Sequence, residues 1–115
     1  MRKLIIGLAG VLTFAGLAAC SSARTTACED PVTTTSVRVV DFAYDPACVS
    51  AESDATIAVA NADEATHTFT VTGTDAAVEV GAGETGEVDL TGVTPGTYRV
   101  VCTFHPDMEA ELRIG

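Results

Sequence analysis

From Val37 to Gly115 the chain is written in short alternating runs, each stopped by turn residues, and that rhythm restricts what it can fold into. "VRVVDFAY" (37–44) stops at Asp45-Pro46, "TIAVAN" (56–61) at Ala62-Asp63-Glu64, and "AAVEV" (76–80) at Gly81-Ala82-Gly83. "THTFTVTG" (66–73) puts His67, Phe69 and Val71 on one face and threonines on the other. "GEVDLTG" carries Val88 and Leu90 in phase, and "TPGT" turns into "YRVVCT". "MEAELRIG" closes with Met108, Ala110, Leu112 and Ile114 in phase. A period of two, β-branched residues and frequent Gly, Pro, Asn and Asp breaks specify strands, and no segment sustains a helical period. Seven or eight short strands in about 80 residues predict one all-β domain, an antiparallel sandwich or barrel.

The first residues follow another logic. Arg2 and Lys3 precede an uncharged run, Leu4 to Ala19, which reads as a secretory signal and is short for a membrane span. It ends in Leu17-Ala18-Ala19-Cys20 followed by Ser21, which resembles the bacterial lipobox, where the cysteine is lipidated and becomes the new N-terminus. An ordinary cleavage site or an uncleaved anchor helix is the plainer alternative. The expectation is a signal peptide over 1–19, then a lipidated Cys20 and a Thr/Ser-rich tether over 20–36. Acyl chains on Cys20 would hold the protein on the outer face of the cell membrane, on the periplasmic or cell-envelope side.

Charge excludes one class of partner. Of six basic residues, cleavage removes Arg2 and Lys3; four remain against sixteen acidic ones, a net charge of −12 with no lysine left. Such a chain cannot neutralise phosphates, so nucleic acid is excluded. The acidity permits steering toward a cationic partner, or serves solubility alone.

The chemistry concentrates in "VCTFHPDM" (101–108), where Cys102, His105 and Met108 lie three apart. The only other histidine is His67, on the apolar face of its run; Cys102 shares an apolar phase with Tyr98 and Val100. Both donors therefore can point into one end of the same core from different strands. One thiolate, two imidazoles and a thioether make the donor set of a blue-copper electron-transfer site. Zinc also accepts cysteine and histidine, but the methionine and the closed loop favour copper. Pro106 has no N–H to direct at the Cys102 sulfur. Four cysteines are present, and export would place them where spare thiols pair. With Cys20 lipidated and Cys102 a ligand, Cys28 and Cys48 are left as a disulfide pair. The other pairings stay open on sequence alone and would consume Cys102.

"HTFTV" together with "CTFHPDM" resembles the small cupredoxins, such as plastocyanin, amicyanin and pseudoazurin, over residues 37–115; the Cys-x-x-His-x-x-Met spacing is most like the latter two. The resemblance implies a Greek-key β-sandwich with one copper ion at one end. It implies His67 as first histidine ligand, Cys102 as thiolate, His105 as the histidine whose edge reaches the surface, and Met108 as axial ligand. It further implies that Phe104 and Pro106 form an apolar patch for electron entry, and that Thr68 stands where an asparagine often bonds across to the copper loop. No tryptophan is present, and Cys28 and Cys48 lie outside the usual pattern. No Gly-rich phosphate loop or nucleophile–base pair supports catalysis. The leading expectation is a monomeric one-electron carrier serving redox proteins with a basic docking face. Copper delivery or storage, and a metal-free sandwich that binds partners, are the alternatives.

Overall fold

The computed structural model of the protein describes residues 28–115. The signal peptide, Cys20 and the first part of the tether lie outside the described residues. Within them ten strands and no helix occur, so none is long and apolar enough to cross a membrane. The strands are β1 (Val32–Thr33), β2 (Ser36–Val40), β3 (Ala43–Asp45), β4 (Cys48–Ala51) and β5 (Thr56–Asn61). They continue as β6 (His67–Val71), β7 (Ala77–Val80), β8 (Thr85–Asp89), β9 (Gly96–Cys102) and β10 (His105–Ile114). Six form one sheet in the order β1-β4-β10-β9-β6-β7, and four form the other in the order β3-β2-β5-β8.

The alternation read from the sequence is the inside–outside alternation of these sheets. Val37 and Val39, Ile57 and Val59, and Val88 point inward from the smaller sheet. Val49, Phe69, Val71, Val100, Leu112 and Ile114 meet them from the larger. Each such side chain contributes about 1.5–3 kcal/mol on leaving water. At one side the sheets approach closely. A Cβ on Gly86 in β8 would lie 2.8 Å from Val78 Cγ2 of β7, so this crossing requires glycine. Near the start of β9 the Tyr98 hydroxyl donates back to the carbonyl of Thr94, which precedes the strand, as in the tyrosine corner of Greek-key sandwiches.

Three expectations need correction. The sheets are mixed, since β1–β4, β4–β10 and β2–β5 pair in parallel. Parallel neighbours arise because the chain crosses between sheets before it returns. The run 37–44 is two strands, not one, joined at Asp41 and Phe42, which have φ of 52° and 59°. Val37 and Val39 face inward at odd positions and Tyr44 at an even one, so a single strand could not bury all three. Residues 28–36, expected as tether, belong to the fold. Val32 and Thr33 pair with Val49 and Ser50, and Cys28 is buried in a disulfide with Cys48 at a Cα–Cα distance of 5.6 Å.

This disulfide closes a loop of 20 residues that holds the β1–β3 segment against β4. Replacing both cysteines by alanine is expected to cost about 3 kcal/mol in the chain-entropy account. Urea unfolding of the two proteins measures it, and equal midpoints would contradict the stapling role.

Candidate metal centre

The β9–β10 hairpin explains the Cys-x-x-His spacing. Thr103 and Phe104 make a two-residue turn, so Cys102 and His105 are directly paired across it. The register then slips between His105 and Glu109, a bulge that contains Pro106, Asp107 and Met108. It turns Met108 inward, to 3 % exposure, while Pro106 and Asp107 stay exposed. The expected loop between strands is therefore shorter than read, since His105 already opens β10.

The partner strand is β6. It pairs with β9 through Thr70↔Val101 and Val71↔Val100, which carries its first residue, His67, to the same end of the sandwich. His67 and Cys102 are each 1 % exposed, whereas His105 is half-buried. Cys102 is a free thiol. Its Sγ lies 3.9 Å from His67 Nδ1 and 3.5 Å from His105 Nδ1, and the three residues' donor atoms lie within 4.8 Å of one another. A first-row divalent ion with bonds of about 2.3 Å to sulfur and about 2.0 Å to nitrogen separates those atoms by about 3.5 Å at tetrahedral angles and about 3.7 Å at trigonal ones. The observed spacings bracket that range. With a buried thioether on the same hairpin, this donor set fits one copper ion.

Thr68 fixes the arrangement. Its N–H donates to Cys102 Sγ at 3.3 Å, and its Oγ1 accepts the Thr103 N–H at 3.0 Å. The hydroxyl thus reaches across to the Cys102–His105 loop. The Thr68 carbonyl accepts from the hydroxyl of Tyr44, which is buried on β3 and packs edge-on against Phe69 at 5.6 Å. Burial, with Cys102 nearby, pushes the Tyr44 phenol far above its ordinary range, so it remains a donor.

Two residues escaped the sequence reading. Phe42 is half exposed, and its ring stands edge-on to His67 at 5.1 Å and to His105 at 4.9 Å. With Phe104, His105, Pro106, Asp107 and Met108 it lines an open depression of about 300 Å³. The phase break in 37–44 was its only signal. Asp63 is the other: its Oδ2 lies 2.9 Å from His67 Nε2. The Phe42 N–H, then those of Asp41 and His67, hold its carboxyl below the usual range against the opposing effect of burial.

Residues 9–114 match the cupredoxin-like domain family. The chain belongs to this family. No curated protein matches it. Among solved structures, a copper-containing nitrite reductase from Thermus scotoductus SA-01 aligns at 23 % identity and a TM-score of 0.57, over 74 % of this chain. The chain spans only 22 % of that enzyme. A reduced amicyanin variant aligns at 22 % identity and a TM-score of 0.58, over 70 % of this chain and 80 % of its own. A second variant, in its Cu(I) form, aligns at 21 % identity and a TM-score of 0.59, over 76 % and 88 %. These likenesses show the cupredoxin sandwich.

Thr68→Val keeps the shape but removes the acceptor for the Thr103 N–H. The expected loss is about 1–2 kcal/mol in the metal-free protein, read by urea unfolding. An unchanged midpoint would mean that water satisfies this group instead.

Proposed function

We propose that the protein is a one-electron carrier holding a single copper ion between His67, Cys102, His105 and Met108. The observation that carries this reading is the convergence of a free thiol and two imidazole Nδ1 atoms, from the three strands β6, β9 and β10, at spacings suited to one ion. Bound copper supplies one-electron chemistry by alternating between Cu(I) and Cu(II). The chain contributes a donor cage that need not move. His67 and Cys102 are built into β6 and β9, Thr68 ties them together, and the sulfur receives a backbone N–H. Burial excludes water from the thiolate side, while half-buried His105 leads to the surface. The reduced and Cu(I) forms reported for the amicyanin variants support the same assignment by likeness of fold.

The wider setting is part of this proposal. A signal peptide over 1–19 and lipidation at Cys20 would place the carrier outside the cytoplasm on the membrane surface. With residues 1–19 removed, four of the six basic residues would remain against sixteen acidic ones, which would favour a redox partner with a basic face at encounter, and the protein would act as a monomer. Four protein donors around one ion leave no ready position for a substrate, which favours transfer of electrons over catalysis.

Loading the protein with Cu(II) is expected to give an intense blue or green charge-transfer band, and Cys102→Ser to abolish it without unfolding the sandwich. The same band in that variant would refute the assignment. Repeated reduction and reoxidation without metal loss is the outcome for a carrier; rapid loss of copper to a chelator would instead indicate delivery.

Met108→Leu should retain the colour and raise the midpoint potential, because losing the thioether disfavours Cu(II) more than Cu(I). Protein-film voltammetry measures this. A lower potential would show that Met108 is not a ligand.

A further inference from the structure

The turn between β2 and β3 has an unusual composition. A two-residue hairpin with positive φ at both central positions favours Asn-Gly or Asp-Gly. Here the pair is Asp41-Phe42, and a bulky residue seldom adopts φ of 59° unaided. The hairpin's own sequence does not account for it. Asp63, 21 residues further on, does. Its Oδ1 accepts the Asp41 N–H at 2.7 Å, and its Oδ2 accepts the Phe42 N–H at 2.9 Å.

The same Oδ2 faces His67 Nε2 at 2.9 Å. A carboxylate only accepts, so Nε2 carries a proton, and in the neutral ring Nδ1 is the nitrogen whose lone pair faces Cys102. Asp63 is itself held in place: its N–H donates to Asn61 Oδ1 at 2.9 Å, and Asn61 is 2 % exposed. Asn61 Nδ2 in turn donates to the carbonyls of Ala65 at 2.7 Å and Val80 at 3.0 Å. Three donors thus converge on two carboxylate oxygens within a braced loop. An amide in this place has one acceptor oxygen and cannot serve all three.

We propose that Asp63 is a positioning residue of the metal centre: one carboxylate fixes the ring and tautomer of His67 and locks the Asp41–Phe42 turn, so that the Phe42 ring covers both imidazoles. The inference rests on reading His67, Cys102 and His105 as copper ligands. A negative group bonded to the outer nitrogen of His67 makes the ring a stronger donor and favours Cu(II). The carboxylate therefore lowers the potential while it holds the aromatic cover shut.

The test uses the full chain and compares wild type with Asp63→Asn, first metal-free and then loaded with Cu(II). In the metal-free protein, long-range 1H–15N spectra should place the His67 proton on Nε2 in wild type and show a tautomer mixture in the variant. Exchange of the Asp41 and Phe42 amides should quicken about tenfold as their bonds to Asp63 weaken. In the loaded protein the midpoint potential should rise and the Cu(II) electron paramagnetic resonance spectrum should change. Phe42→Gly relaxes the turn, so Phe42→Gly with Asp63→Asn, set against Phe42→Gly alone, keeps the potential readable if Asp63→Asn does not fold. In that pair the rise should persist. An unchanged His67 tautomer, or faster amide exchange with unchanged potential and spectrum, would overturn the proposal and leave Asp63 a turn cap only. A wild type without the charge-transfer band would instead defeat the copper reading, and the metal-free spectra would still report what Asp63 does to His67.

Discussion

One residue, Thr68, joins three parts of the molecule. Its N–H meets the sulfur of Cys102, its hydroxyl takes the N–H of Thr103, and its carbonyl takes the hydroxyl of Tyr44. The strand bearing the first histidine, the hairpin bearing the other donors and the opposite sheet are thereby fixed at one point. All three bonds lie in a buried or partly buried setting, where a missing partner costs more than its bond contributes. The spacing of the donors depends on this junction more than on any property of the donors themselves. A hairpin alone would set Cys102 against His105 but could not set either against His67.

The chain also shows how a rigid cage is assembled from short strands. Period-two alternation delivers residues to one face at fixed intervals, but a face is not yet a site. Closing the site needs a slip in register, and the bulge between His105 and Glu109 supplies it by bringing Met108 inward. Regular strands provide stiffness, and one irregularity provides convergence.

The sequence made the β-sandwich and the convergence of His67, Cys102 and His105 legible, because both follow from local period and from donor chemistry. Other features were less visible for physical reasons. Cys48–Ala51 is too short to show a period, and it becomes a strand only because β10 and β1 lie on either side of it. Val32 and Thr33 are exposed in sequence and in space, and their strand character comes wholly from pairing with β4. Asp63 looked like one more solvated acid in a turn, since nothing local announces that three donors will gather on it. Phe42 looked like part of a strand, and only the change of phase between Val39 and Tyr44 marks the corner that brings its ring over the histidines.

The covalent link between Cys28 and Cys48 also determines how the domain hangs. Cys48 pairs beside Glu111 on β10, the strand that begins at His105. At the usual rise per residue, the attachment point lies roughly 15–20 Å along that strand from the donor cage. Whatever precedes Cys28 is therefore moored well down the flank of the sandwich. That link acts on the far part of β10, away from the end of the sandwich that bears His105 and Phe42.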